Sequence, residues 1–145
     1  MNKINFENLP STNTPINATN LNQLQTNVEN TLNTYSTSEI RIGTWIDGKP
    51  LYRKVIDMGA LPNNTSKSLD TGLIFNSSNC ILRNISAVAS YANGITFPLP
   101  FTSLNDFDYM VSINIDNNNK LVVTTGQDRS GMTGYAILQY TKATD

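Results

Sequence analysis

From residue 39 onward the chain is a series of short runs in which apolar and polar residues alternate, each closed by residues suited to turns. A period of two sends successive side chains to opposite faces of a pleated strand, so this pattern restricts the segment to sheet structure with one buried face. The clearest run carries Tyr109, Val111, Ile113 and Ile115 on one face. Asp116-Asn117-Asn118-Asn119 follows, and asparagine tolerates the positive backbone torsions that a hairpin back into residues 120–125 requires. Asp47-Gly48 is a second turn pair of this kind, and Pro50 gives the strand after it an edge-like start. Strands are predicted over 39–45, 51–58, 79–90, 95–101, 107–116, 120–125 and 135–141. Their regular spacing, with no second long helical pattern, predicts a mainly β fold, a β-sandwich or jelly-roll-like domain spanning residues 38–145.

Residues 1–37 follow a different pattern. The first fifteen are polar and broken by Pro10 and Pro15, which predicts an extended arm with Ile4, Phe6 and Leu9 as isolated apolar residues that need a partner surface. Asn17 or Thr19 can then cap a helix in which Leu21, Leu24, Val28, Thr31 and Tyr35 recur every three or four residues, with Leu32 beside them. A helix of about four turns is marginal alone, because nucleation costs more than so few apolar contacts return. The stripe is as narrow as a bundle seam, which favours association with copies of itself in a bundle on a symmetry axis through Leu21, Leu24, Val28, Leu32 and Tyr35. A wider role, packing on the β domain of the same chain, is the alternative.

Composition narrows the chemistry. The 145 residues suffice for one domain and a short appendage. With 14% charged residues and a net charge of −1, no basic surface is available for a phosphate backbone, so nucleic acid is not an expected partner. No apolar run approaches the roughly 18 residues needed to cross a bilayer, and no charged start leads into an apolar leader, so neither membrane insertion nor secretion through a signal is expected. The single cysteine, Cys80, excludes an internal disulfide framework and reads as a small buried hydrophobe at the edge of a strand. Histidine is absent, which removes the commonest general base and the commonest metal ligand together.

Two stretches resemble segments of a known class of protein. Pro10-Ser11, Thr14-Pro15-Ile16-Asn17-Ala18 and Asn20-Leu21-Asn22 are similar to the N-terminal motif of many phage fibre and upper-baseplate proteins, which opens a short helix near the point of attachment to the virion. The stretch 35–54, with Gly43-Thr44-Trp45-Ile46-Asp47-Gly48-Lys49-Pro50-Leu51-Tyr52 at its centre, resembles a block common in phage and prophage fibre-type proteins, and is the more specific of the two. The resemblance implies a homotrimer on the virion exterior, made in the host cytoplasm, joined to other phage structural proteins through Ile4, Phe6 and Leu9, and often carrying a receptor-facing tip. Read from its residues alone, the second block is structural: Trp45 a large core or interface anchor, Asp47-Gly48 the turn, Tyr52 a cross-strand partner.

Catalysis finds little footing. A nucleophilic triad lacks its base, and no serine sits in a nucleophile-elbow pattern. Asp106, Asp108, Asp116 and Asp128 could supply the two carboxylates of a glycosidase, yet aspartates beside asparagine and glycine are turn residues first. Residues 116–119 lack the loop glycine and distal glutamate of a calcium hand, and the glycine-spaced stretch 126–134 lacks the lysine and following helix of a phosphate cradle, reading as a mobile surface loop. No catalytic residue, cofactor or metal is expected. A glycan site needs an aromatic face and planar polar groups, for which Tyr91 with Asn93, and Asp128 with Arg129, are the candidates.

The expected function is therefore that of a non-enzymatic virion fibre whose β domain adheres to host surface saccharide. A capsid or neck decoration protein without a specific receptor is the alternative. If the helical stripe lies on a symmetry axis, Leu24→Asp with Val28→Asp places six carboxylates in a trimeric seam, and light scattering should show a roughly threefold fall in solution mass. An unchanged mass would move the interface into the β domain.

Overall fold

The computed structural model describes residues 18–103 and 107–143. The division into compact units falls between Thr34 and Tyr35. The arm residues Ile4, Phe6 and Leu9, the motif up to Asn17, and Asp106 lie outside the described residues. In the first unit α1 runs over Ala18–Asn33, so Thr19 lies within the helix instead of capping it. Leu21, Leu24 and Val28 are 51%, 41% and 42% exposed, which leaves the apolar stripe uncovered in the single chain. The backbone of Leu32 is helical, whereas Tyr35 falls beyond the last helical residue and does not continue the stripe.

The second unit is mainly β, with two antiparallel sheets. Its strands are β1 (Ile40–Thr44), β2 (Pro50–Ala60), β3 (Ser66–Asp70), β4 (Cys80–Tyr91), β5 (Thr96–Leu99), β6 (Val111–Ile115), β7 (Lys120–Thr125) and β8 (Met132–Lys142). Five form one sheet in the order β1-β2-β8-β4-β5 and three form the other in the order β3-β7-β6. The β1–β2 hairpin turns at Asp47-Gly48, with Gly48 at φ +84° and its N–H donated to the Trp45 carbonyl. The β6–β7 hairpin places Asn119 at φ +62°, while the Asp116 carboxylate accepts the N–H groups of Asn118 and Lys120. Both turns use the left-handed backbone that glycine and asparagine adopt at least cost.

Two strand expectations need correction. Residues 107–109 form a short 3-10 turn and not the start of β6, because the partner strand β7 ends opposite Val111 at Thr125 and leaves Tyr109 nothing to pair with. Strand β3 was not legible in its sequence, Ser66-Lys67-Ser68-Leu69-Asp70, which has one apolar residue. Its order comes from tertiary partners. It pairs with β7 along its whole length, Ser66 and Thr124 share a hydroxyl hydrogen bond, and Lys67 reaches the carbonyls of Met58 and Ala60.

One buried cluster joins residues of both sheets: Ile56, Met58, Cys80, Ala87, Ala89, Leu99, Ala136, Leu138 and Tyr140 from the larger sheet, with Val111, Leu121 and Val123 from the smaller. Cys80 is buried within it, as its strand-edge setting implies. On β8 every second residue from Met132 to Tyr140 is buried, and Gly134 keeps that row flush, since a Cβ there would strike the Val88 carbonyl and the Met58 methyl. Trp45 is not part of this core. It lies half-buried beneath the Arg83 guanidinium, 5.2 Å from its ring centroid, and Arg83 is held by Asp47 at 2.8 Å. Tyr52 pairs across from Arg41 and stacks on Tyr140, with centroids 6.0 Å apart.

Among the described residues Tyr140 is the one large polar side chain fully sealed in the cluster, and its hydroxyl donates to Glu39 Oε2 at 2.5 Å while Lys142 meets the other oxygen of the same carboxylate. Burial first, and then the hydrogen bond and negative charge of Glu39, hold the phenol well above its ordinary ionisation range. The folded state therefore keeps a proton that unfolded tyrosine loses near pH 10, and stability must fall as pH rises above that value. Tyr140→Phe should lower stability by about 1–3 kcal/mol at neutral pH and flatten the loss above pH 10 in denaturant titrations. An unchanged alkaline slope would remove Tyr140 as its source.

Candidate functional site

The sequence candidates Tyr91, Asn93, Asp128 and Arg129 fall at one end of the β unit, where β4 turns into β5 and where β7 hands over to β8. Within this set the structure brings together Tyr91 and Arg129. Arg129 Nη1 donates to the Tyr91 hydroxyl at 3.0 Å, Nη2 reaches the Tyr109 carbonyl at 3.4 Å, and the guanidinium lies 5.1 Å from the centroid of the Tyr109 ring. One side chain thus ties the end of β4, the 3-10 turn and the 126–131 loop into a single surface. That loop is pinned instead of mobile: Gly126 N–H donates to Met110, Arg129 N–H to Pro62, Asn64 N–H to Gln127 and Met132 N–H to Arg129. Gly126 has no room for a side chain, because a Cβ would meet the Asp108 carbonyl.

Asn93 and Asp128 serve their own turns. Asn93 Oδ1 accepts the Ile95 N–H at 3.1 Å, next to Gly94 at φ +89°. Asp128 Oδ1 accepts both the backbone N–H and the hydroxyl of Ser130, and these two bonds lower its carboxyl below the ordinary 3.8. Neither is hydrogen-bonded to Arg129. Asp116 stands at the far end of β7, roughly 20 Å of strand from Asp128, well beyond the separation of about 5–9.5 Å that paired glycosidase carboxylates need. Among the described residues no group of three or more carboxylate or cysteine side chains converges as a metal site would.

Three aromatic residues that sequence reasoning did not assign to the site, Phe97, Phe101 and Tyr109, complete it. Tyr91, Phe97 and Phe101 form an edge-to-face chain with centroids 6.4 and 5.0 Å apart. Beneath Arg129 a cleft lined by Phe97, Leu99, Phe101, Val111 and Met132 has a volume of about 20 Å³, room for about one water. Tyr109, 40% exposed, is the aromatic face presented to solvent here. The spacing of Tyr109 with Val111 predicts one strand face for both, and Tyr109 is instead in the 3-10 turn because the β7 pairing ends at Val111. The arrangement can offer a flat ring and the unused N–H groups of one guanidinium to a planar polar or hydroxylated ligand, but the cleft that its described residues form is too small to enclose a sugar ring. A shallower depression, about 330 Å³, lies at the other end of β4 against Phe75, Asn76, Ser77, Cys80, Ile81 and Leu82.

No family model, curated protein or solved structure matches the chain.

The Asp128 turn gives a direct check on the loop geometry. Because the two bonds favour the ionised carboxylate, its carbon-detected NMR titration should have a midpoint below 3.8, and Ser130→Ala, which removes the hydroxyl bond, should move that midpoint upward. A midpoint at or above 3.8 in the native chain would mean that the loop does not hold this turn in solution.

Proposed function

We propose that the chain is a subunit of a homotrimeric phage fibre, held on the virion exterior through its N-terminal arm and presenting a β-sandwich of jelly-roll-like type toward saccharide on the host surface. The observation that carries this reading is the stretch 35–54, which resembles a fibre-protein block and which forms the β1–β2 hairpin. Its residues there have structural roles: Gly48 makes the turn, Asp47 holds Arg83 over Trp45, and Tyr52 stacks on Tyr140. Such a block is explained by folding needs, which suits a scaffold protein better than an enzyme. The uncovered Leu21, Leu24 and Val28 support self-association through the helix. The exposed Tyr109 ring beside Arg129 supports contact with a saccharide, whose apolar face stacks on aromatic rings while its hydroxyls accept from a guanidinium.

A second reading has an observation of its own. The cleft under Arg129 holds about one water, too little to enclose a sugar, which favours a capsid or neck decoration protein that stabilises the virion without a dedicated receptor. The two readings separate in a cell-binding assay. A labelled chain that binds host cells and blocks phage adsorption, with binding weakened at least about tenfold by Tyr109→Ala and Arg129→Ala together, is an adhesin that uses this surface. A chain that neither binds cells nor blocks adsorption is a decoration protein.

A further inference from the structure

The larger sheet has a second face, turned away from the core. Residues directly opposed across antiparallel strands share a face, so the register builds this surface in rows. One row is Ile40, Arg53, Gln139 and Asn84; the next is Val55, Ile137 and Ser86; the third is Asp57, Tyr135, Val88 and Pro98. A sheet with one solvated face alternates apolar inside with charged or polar outside. Here the outward positions of β8 include Tyr135 and Ile137, and Tyr135 and Val88 are 52% and 46% exposed side by side. The rows contain two charged residues. Arg53 is buried, with the Tyr35 ring 3.8 Å over its guanidinium, and Asp57 is turned to the Gly59 N–H. Val55, Ile137, Tyr135, Val88 and Pro98 adjoin one another on this face, with Arg53 covered by Tyr35 and the exposed Asp57 beside Tyr135, and an apolar patch with polar residues around it is the composition of an interface.

We infer that this face packs against a second copy of the chain. Three strands of 11 or 12 residues and two short ones present roughly 650 Å² in projection, close to the ~800 Å² that each partner contributes to an interface of standard size. The chain itself supplies the continuity. Tyr35 is the second residue past the end of the helix and is already seated in this face over Arg53. Two residues of chain span at most about 7 Å. Self-association through the helix would therefore tether the β units of two copies by short links and raise the effective concentration of one such face, with its exposed Tyr135 and Val88, at another. The inference rests on the self-association reading above and adds its location in the β unit.

The test uses the full-length chain. Its solution mass is measured by light scattering against the 16.0 kDa of one copy, beside Val88→Lys with Tyr135→Lys, whose fold is checked by circular dichroism. The expected result is an assembled native chain and a double variant whose association is weakened at least a hundredfold. A second variant, Tyr135→Cys, treated with a short thiol cross-linker, should yield covalent multimers on a denaturing gel, whereas the native chain, with its buried Cys80, should not. An assembled native chain whose lysine variant keeps its mass and whose Tyr135→Cys variant fails to cross-link overturns this interface and leaves self-association through the helix standing. A native chain that stays at single-chain mass overturns both.

Discussion

Strand β8 is bonded on both edges, to β2 and to β4, over nearly its full length, and the five-stranded sheet cannot form without it. Its inward residues Ala136, Leu138 and Tyr140 are fully buried, so the same eleven residues supply two hydrogen-bonded ladders and the centre of the core. The pattern is demanding because its period of two allows no slip: a one-residue shift would turn Tyr135 and Ile137 inward and expose Leu138 and Tyr140. Gly134 adds a local constraint, since it lets the Met58 methyl and the backbone of β4 close over the strand. The sealed Tyr140 hydroxyl makes the strand depend on Glu39, a residue just ahead of β1, so the first and last parts of the unit are joined by one carboxylate.

Loop order follows from that frame. At the end where β4 and β8 meet the crossing segments, side-chain carboxylates and amides close their own turns at Asn93 and Asp128, and Arg129 connects the separate pieces. A guanidinium suits this task because it is planar and offers several fixed donors, so it can bond to a phenol, a carbonyl and a ring face together. The surface so formed is firm without being concave. That combination is compatible with weak or multivalent contact, where several copies on one assembly raise effective affinity without a deep pocket in any one of them.

The proposed self-association would cover two exposed apolar surfaces: the stripe of Leu21, Leu24 and Val28 on the helix, and the Tyr135 and Val88 side of the larger sheet. Each is costly in water as an isolated surface, and both become favourable once apolar area is removed from solvent. Arg53, in the row beside the apolar patch, is buried under Tyr35 and so does not present an exposed positive charge to a copy of itself.

Much of the architecture was legible in residue order because it depends on local chemistry. The alternation in β2, β4, β7 and β8, the turns at Asp47-Gly48 and Asn119, the helix through Leu21 and Val28, and the burial of Cys80 all follow from periodicity or from the torsions a residue tolerates. What tertiary structure alone decided depends on partners distant in sequence. Strand β3 exists because β7 and the carbonyls of Met58 and Ala60 receive it, Tyr109 leaves the strand because β7 has ended, and Trp45 lies under Arg83 instead of in the core. The candidate site divides the same way. Tyr91 and Arg129 were found by residue type, but they are 38 positions apart, and their meeting, like the cleft of Phe97 and Phe101 beneath them, is set by sheet register and by where each strand stops. Periodicity reports which face a residue prefers; only pairing across the sheet determines what it faces.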